Sequence, residues 1–274
     1  MPEGDSIFRA AATLQRALGG KRVERFESAF PALTRVDDDH PFSGTTIDSV
    51  RSHGKHLLMR FSNGYVLRTH MRMKGSWHIY RPGEKWQRSR RSMRVLIATA
   101  DFEAVGFDIP VAELVKDRAL ARHVELSKLG PDILARDFNR DEAVRRLRER
   151  PASEIADVLL NQHVLAGLGN VYKSEVLFLC HVNPFARVEA LSGEQMDCLV
   201  DTARRLLVTN VSGAVAPLTT YVTLRRTTRG SDSSARLWVY GRARLPCRRC
   251  GTAIQARKQG TGARLTYWCP TCQS

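Results

Sequence analysis

The chain has 274 residues and a formal net charge of +15 at pH 7, with 43 Lys and Arg against 28 Asp and Glu. This length can bury a substantial core and suggests two domains, and the positive charge favours a phosphate-rich partner such as DNA or RNA over a membrane surface. No apolar run approaches the roughly 18 residues of a spanning helix, and the N-terminus lacks the basic start of a secretory signal, so we expect a cytoplasmic protein.

A helix is predicted at the N-terminus. Ile7, Ala11, Leu14 and Leu18 recur at the spacing of one helix face, and Gly19 follows as a stop signal. The helix should pack on a sheet.

Short β-rich runs follow, and they predict a β-sandwich or barrel. They cover residues 22–26, 45–51, 56–61, 65–71, 76–80 and 94–98. Between the last two lies a basic loop, residues 85–91, which is either a solvated turn or a phosphate contact.

A break in periodicity at residues 129–132 marks a domain boundary, and the chain beyond it has helical patterns. Ser192 and Gln195 form a capping box before one helix. We predict an α+β protein with four parts: residues 1–126, an N-terminal β-sandwich that carries catalysis; 127–136, a linker; 137–230, a helical domain; and 231–274, a zinc hairpin.

Four cysteines near the C-terminus have the spacing of a zinc site. Cys247 and Cys250 form one C-x2-C pair, Cys269 and Cys272 form another, and 18 residues separate the pairs. Because all four ligands are thiolates, no position remains for a catalytic water, and the single Zn²⁺ should be structural. In a reducing compartment, Cys180 and Cys198 are expected to be ordinary buried thiols.

Pro2 could carry chemistry if Met1 is removed, because it would then present a secondary amine. An α-amine has a reference pKa of about 7.7 to 8, so an appreciable fraction is unprotonated near neutral pH and can attack a carbon at the aldehyde oxidation level, with Glu3 beside it to transfer protons. A proline at position 2 is also common as a frayed end. From these residues alone, both interpretations stay open.

A glycine-rich segment, residues 167–169, directly precedes Asn170 and a predicted helix. Backbone N–H groups at such a helix start can bind an anion, although plain capping produces the same pattern. The Gly-Lys-Ser/Thr element of a P-loop is missing.

Together these motifs resemble the formamidopyrimidine-DNA glycosylase and endonuclease VIII family of base-excision repair enzymes, over nearly the whole chain. The residues that carry the resemblance are Met1-Pro2-Glu3-Gly4, Gly54-Lys55-His56, His70 with Met73-Lys74-Gly75, Leu165-Ala166-Gly167-Leu168-Gly169-Asn170, Val239-Tyr240-Gly241-Arg242, and Arg264 with Thr266-Tyr267-Trp268-Cys269-Pro270.

The resemblance implies a bifunctional DNA glycosylase and AP lyase. Pro2 would be the nucleophile at C1′, Glu3 the acid that assists sugar-ring opening, and Lys55 a lysine that approaches the lesion. His70, Asn170 and Arg264 match the positions that grip DNA phosphates, with Arg264 also counted among the catalytic set. The helical domain would be a helix–two-turn–helix element.

The resemblance also implies a set of residues that fill the gap left when the damaged base is flipped out of the duplex. These are Arg72, Met73 and Lys74, with Met73 as an apolar wedge. The alternative for Met73 is a core methionine at a strand end.

Two features favour the endonuclease VIII branch, which acts on oxidised pyrimidines. Residues 100–108 lack the Asp-x-Arg-Arg-Phe segment of the oxidised-purine branch, and the loop between Arg225 and Leu237 is short. Asp5-Ser6 departs from the usual Pro-Glu of the family. Asp5 either replaces the lost carboxylate or caps the first helix.

The partner is therefore expected to be double-stranded DNA with a damaged base or an abasic site, bound by a monomer. The rival hypotheses are a non-catalytic zinc module that recognises damaged DNA, an oxidised-purine glycosylase of the same family, and an RNA-associated zinc protein.

Overall fold

The computed structural model describes residues 2–212, 225–228 and 236–274. The chain divides into two compact units, of which the first runs to Lys128 and the second begins at Leu129. In the described ranges, no helix combines the length and the apolar character needed to cross a bilayer.

The first unit opens with helix α1, Gly4–Leu18. Its apolar face is buried, and Gly19 ends it where a Cβ would lie 2.6 Å from the carbonyl oxygen of Gln15. The Gln15 side chain accepts a hydrogen bond from the backbone N–H of Val50, which ties the helix to a neighbouring strand. The N-terminal helix predicted from periodicity is therefore present with the predicted end.

Eight strands and two further helices make up the rest of this unit. They are β1 Arg25–Ser28, α2 Pro31–Asp39, β2 Ile47–His53, β3 His56–Phe61, β4 Tyr65–His70, β5 Ser76–Tyr80, β6 Met93–Ala98, β7 Glu103–Phe107, β8 Val111–Lys116 and α3 Asp117–Leu120.

The strands form two antiparallel four-stranded sheets, in the orders β1–β6–β7–β5 and β2–β3–β4–β8. Alternate side chains of both sheets and the apolar face of α1 share one core, which includes Leu14, Met59, Leu67, Trp77 and Ile97. This arrangement is a sandwich, because each strand buries one face and the two buried faces meet. The predicted α+β fold with an N-terminal β-sandwich is confirmed.

The second unit contains four helices and a two-stranded hairpin among its described residues. They are α4 Arg140–Arg148, α5 Ile155–Leu160, α6 Asn170–Leu179, α7 Gly193–Val211, β9 Gln255–Gln259 and β10 Arg264–Trp268. The predicted capping box is present, since Ser192 accepts from the Gln195 N–H at 3.2 Å and Gln195 accepts from the Ser192 N–H at 3.0 Å. The helices enclose their own apolar core.

The expectation that Cys180 and Cys198 are free thiols is wrong. The two residues form a disulfide, with their Cα atoms 5.9 Å apart. Cys180 ends α6 and Cys198 lies in α7, and the close packing of these helices brings the two sulfur atoms into bonding range. Periodicity placed each cysteine on a buried helix face but could not show that the faces meet.

Candidate active site and nucleic-acid contacts

The first turn of α1 holds the two residues proposed for covalent chemistry. Pro2 is half-buried, and Glu3 is fully buried as the N-cap residue of the helix. The Glu3 carbonyl accepts the N–H groups of Ser6 at 2.9 Å and Ile7 at 3.1 Å. This carboxylate is therefore held by a rigid helix start directly after Pro2.

Asp5 is not the helix cap, because that position belongs to Glu3. It lies in the first helical turn, is fully buried, and its carboxylate accepts from Arg9 at 3.0 Å and from the Ser6 hydroxyl at 3.3 Å. A carboxylate here interacts favourably with the helix dipole. Of the two alternatives for Asp5, capping is excluded.

Lys55 and His70 lie at the same end of the second sheet. Gly54, with φ +57°, makes the tight β2–β3 turn that carries Lys55, and His56 at the start of β3 pairs with His70 at the end of β4. The two imidazole rings meet edge to face with centroids 4.8 Å apart. The pKa of His70 is lowered to about 4, chiefly by burial and also by the nearby Arg72, Lys55 and Arg68, while Glu125 opposes the shift.

Residues 71–75, here called the wedge loop, connect β4 to β5. Met71 is buried and Gly75 donates its N–H to the Met71 carbonyl at 2.9 Å, so the loop is a closed turn. A Cβ on Gly75 would lie 2.7 Å from that carbonyl oxygen, which only glycine avoids.

The turn displays its three middle residues. Arg72 has φ +47°, and Met73 is 56% exposed. Arg72 and Lys74 are exposed as well. The alternative of a core methionine at position 73 is therefore wrong.

The basic loop of residues 85–91 has internal partners for two of its arginines. Arg88 binds Asp108 at 2.8 Å, and Arg90 binds Glu27 at 2.8 Å while lying over the Trp86 ring. These contacts favour the solvated turn over the phosphate contact for this loop.

In the second unit, Asn170 and Arg264 are brought close together. Asn170 is the first residue of α6, preceded by Gly167 with φ +97° and by the extended N-cap residue Gly169. Its amide donates to the carbonyl of Leu265 at 2.8 Å, and Leu265 follows Arg264 on β10. The start of α6 and the exposed Arg264 therefore flank one another.

A chain of buried polar side chains, which no sequence motif predicts, joins α6 to the hairpin. Lys173 is fully buried and donates to Thr266 at 2.7 Å, Thr266 donates to Gln259 at 2.6 Å, and Gln259 donates to Glu154 at 2.6 Å. The sequence does not predict the burial of Lys173, because lysine is rarely buried in a protein interior.

The buried carboxylate of Glu175 explains one motif of the resemblance. It accepts the backbone N–H groups of Trp238 at 2.7 Å, Val239 at 2.9 Å and Tyr240 at 2.8 Å, and the hydroxyl of Thr227. Burial raises the pKa of Glu175, and these hydrogen bonds oppose that rise. The segment that begins at Val239 is thus fastened to α6.

The four cysteines form a site that fits zinc. The sulfur atoms of Cys247, Cys250, Cys269 and Cys272 all lie within 4.8 Å of one another. The Cys247–Cys272 and Cys250–Cys269 sulfur pairs are 4.0 and 3.4 Å apart. Four thiolates at about 2.3 Å from a tetrahedral Zn²⁺ would have sulfur–sulfur distances of about 3.8 Å. The site is a structural Zn²⁺ site that closes the base of the β9–β10 hairpin.

Comparisons with known proteins agree with this architecture. The chain matches the formamidopyrimidine-DNA glycosylase N-terminal domain over residues 1–109, the formamidopyrimidine-DNA glycosylase H2TH domain over residues 129–219, and the zinc finger found in FPG and IleRS over residues 244–274.

Curated relatives match over the full chain. They include a probable endonuclease 8 2 of Streptomyces coelicolor, 40% identical over 100% of this chain and 94% of that protein. A DNA-(apurinic or apyrimidinic site) lyase Nei2 of Mycolicibacterium smegmatis is 38% identical over 100% and 99%. An endonuclease 8 of Escherichia coli is 33% identical over the whole of both chains.

Solved structures share the fold. Lactococcus lactis Fpg in complex with DNA that contains N7-benzyl-Fapy-dG superposes with a TM-score of 0.83 at 24% identity, over the whole of both chains. The same protein with abasic-site DNA gives a TM-score of 0.81 at 24% identity, over 100% of this chain and 99% of that one. On these matches, the chain belongs to the formamidopyrimidine-DNA glycosylase and endonuclease VIII family.

Proposed function

We propose that this protein removes oxidised pyrimidines from double-stranded DNA and then cleaves the strand at the resulting abasic site. The enzyme is a DNA glycosylase and AP lyase of base-excision repair, as family membership and the full-length relatives indicate. The parts that we propose are the preference for oxidised pyrimidines, the identity of the nucleophile and the residues that contact DNA.

The chemistry begins with Pro2 after removal of Met1, which lies outside the described residues. The Pro2 nitrogen attacks C1′, the bond from C1′ to the base breaks, and Glu3 donates the proton that opens the sugar ring. The product is a cationic iminium, which acidifies the C2′ proton. Loss of that proton expels the 3′ phosphate, and a second elimination expels the 5′ phosphate, which leaves a one-nucleotide gap.

The observation that carries this mechanism is the burial of Glu3 at the first turn of α1, directly beside Pro2. A binding module has no need of a buried carboxylate next to a terminal proline, because DNA backbone repels negative charge. This arrangement is expected for proton transfer at the sugar.

Each unit contributes its own proposed DNA contacts. In the first unit, Lys55 would approach the lesion and His70 would bind a phosphate. In the second unit, Asn170 and Arg264 would bind the backbone at the start of α6, where helix N–H groups favour an anion. The contact between Asn170 and the residue after Arg264 supports a shared role.

The exposed turn of the wedge loop supports its proposed role in filling the gap. Met73 would enter the stack where the damaged base was, flanked by Arg72 and Lys74. An apolar side chain that remains in solvent at 56% exposure is suited to this insertion.

The β7–β8 connection supports the pyrimidine branch. It consists of Asp108, whose carboxylate binds Arg88, then the buried Ile109, then Pro110. None of these three residues is an Arg or a Phe, the residue types that the purine branch inserts into the DNA from this region. The second feature, the short loop after Arg225, includes residues 229–235, which lie outside the described residues.

The test is single-turnover excision from duplexes that contain thymine glycol, dihydrouracil or 8-oxoguanine opposite its normal partner. We expect the two pyrimidine lesions to be released much faster and to leave phosphate at both ends of the gap. Faster release of 8-oxoguanine would assign the purine branch. Tight binding to all duplexes without cleavage would instead support the non-catalytic rival.

We further propose that the enzyme acts as a monomer in the bacterial cytosol, where the chromosome lies. The bacterial origin of the relatives supports this location.

A further inference from the structure

Arg68 is a buried cation that no step of the proposed mechanism uses. It lies on β4, on the face of the second sheet that points away from the sandwich core, and is only 1% exposed. Residues 117–126, here called the cover segment, follow β8 and supply a partner for it. The segment thereby covers a face that strand alternation alone would leave to solvent.

The Arg68 guanidinium donates to three side chains at once. It reaches Nδ1 of His56 at 2.9 Å, Glu113 at 2.9 Å and Glu125 at 2.6 Å. Glu113 in turn accepts from His123 at 3.0 Å. Arginine, glutamate and histidine from β3, β4, β8 and the cover segment therefore form one network.

This network fixes the tautomer of His56. A guanidinium has donors only, so Nδ1 of His56 must be the acceptor and the ring proton must be on Nε2. His70 is fixed in the same way, because its Nδ1 accepts the backbone N–H of Arg72 at 3.0 Å. Both rings are left with Nε2–H as their remaining donor.

Both rings are also neutral at physiological pH. The pKa of His56 is lowered to about 3, first by burial and then by the nearby His70, Arg68, His53 and His123. The groups that face His70 are Arg72, Lys55, Arg68 and Glu125, and the pKa of His70 is lowered to about 4, mainly by burial. Protonation of His70 would place a third positive charge beside Lys55 and Arg72.

The orientation of His70 depends on His56. The two residues are paired across β3 and β4, and their rings pack edge to face at 4.8 Å. Arg68 holds the His56 ring, and the His56 ring in turn limits the rotation of the His70 ring that packs against it. Without Arg68, the His56 ring is free to flip or change tautomer. The His70 ring then no longer packs against a ring of fixed orientation.

We propose that Arg68 is a positioning residue: through His56 it holds the His70 ring so that Nε2–H serves as a neutral donor to a DNA phosphate oxygen. The proposal rests on the phosphate-binding role of His70 under the proposed function. Arg68 itself touches no DNA.

The first experiment uses the free protein and does not depend on the proposed function. Long-range ¹H–¹⁵N NMR at pH 7 is expected to show His56 and His70 as neutral rings with the proton on Nε2. In Arg68→Met, the His56 signals should shift toward a tautomer mixture and its pKa should rise. A charged or Nδ1-protonated His56 in the wild type would overturn the proposal, as would unchanged rings in Arg68→Met.

The second experiment measures binding to a duplex that contains tetrahydrofuran as an abasic analogue. We expect Arg68→Met to bind about 5- to 20-fold more weakly at pH 7.5, the cost of one disturbed charge-assisted contact, and Arg68→Lys to recover part of the loss. Arg60→Met is the matched control, because it removes a different contact with the cover segment, the Arg60–Asp117 ion pair at 3.1 Å, and leaves the Arg68–His56 contact in place. It should bind like the wild type.

A pH profile separates positioning from general damage to the fold. Wild-type affinity should show no step from His70 between pH 5.5 and 8, whereas Arg68→Met should bind more tightly at pH 5.5 as His70 gains a charge. Equal pH profiles in the two proteins would contradict the proposal. If the wild type does not prefer the abasic duplex to an undamaged one, the proposed function fails, and the NMR result still decides whether Arg68 sets the ring of His56.

Discussion

Met73 and Arg68 differ in how far the sequence reveals them. The family resemblance predicts Met73 on an exposed loop, and the structure agrees because the loop is local, with its ends, Met71 and Gly75, within five positions. Arg68 occupies an outward strand position, where a solvated side chain is expected. Its burial depends on the cover segment, which begins some 50 residues later, and no local pattern encodes that packing.

Replacing Met73 with alanine tests the wedge at the scale of one residue. We expect Met73→Ala to weaken binding to a tetrahydrofuran duplex about tenfold, because an apolar insertion worth about 1.4 kcal/mol is lost. Since Met73 is 56% exposed, the free energy of unfolding in urea should change by less than about 0.5 kcal/mol. Val124→Ala is the control, as Val124 is 67% exposed in the same unit. Equal effects of the two changes on DNA binding would contradict the assignment.

At the scale of elements, the helices and strands with a strong apolar periodicity are the ones that the sequence predicts. The sequence predicts helix α1, six of the strands, β1 to β6, and the capped helix α7 to within a few residues. Helix α2 was missed because only Leu33 of its nine residues is buried, which leaves no apolar face to detect. Strand β7 was missed because Gly106 interrupts it, and that glycine is required where Ile109 and the Trp77 ring pack against it.

Lys173 is expected to anchor the zinc hairpin to α6. Because the side chain is fully buried and hydrogen-bonded to Thr266, Lys173→Ala should lower the free energy of unfolding by about 2–5 kcal/mol. Lys258→Ala, on an exposed position of β9, should cost less than about 0.5 kcal/mol. Urea denaturation gives both values, and zinc content should stay at one per chain. A loss below 1 kcal/mol for Lys173→Ala would show that the hairpin is held by other contacts.

The Cys180–Cys198 disulfide joins α6 to α7 across a separation of 18 residues. Closing a loop of that size stabilises a protein by about 3 kcal/mol in the chain-entropy treatment. We therefore expect a reductant to lower the free energy of unfolding by about that amount in the wild type and by nothing in Cys198→Ser. Six alkylatable thiols in the unreduced, zinc-stripped and unfolded chain, instead of four, would disprove the bond.

At the scale of the whole molecule, buried histidines set the response to pH. The pKa values of His56, His70 and His78 are lowered to about 3, 4 and 4, chiefly because burial disfavours the charged ring. An unfolded histidine titrates near 6.5, so below that pH the unfolded chain binds more protons than the folded one. The stabilisation is complete above about pH 6.5 and is lost as the pH falls toward 4, by about 1.4 kcal/mol per pH unit for each histidine.

Urea denaturation at pH 7.5 and 5.5 checks this dependence. The wild type should be less stable at pH 5.5, and His78→Gln should show a smaller difference between the two pH values. Burial raises the pKa of Glu175, which acts in the opposite direction, so the comparison between the two proteins isolates the histidine. Greater wild-type stability at pH 5.5 would contradict the account.

The most direct test of the central claim is borohydride trapping on a duplex with one thymine glycol, followed by peptide mapping of the adduct. We predict a single covalent product attached to the Pro2 nitrogen in protein that has lost Met1. No product should form when an uncleaved N-terminal tag turns that nitrogen into an amide. An adduct on a lysine, or equal trapping by the tagged protein, would contradict the assignment of Pro2 as the nucleophile.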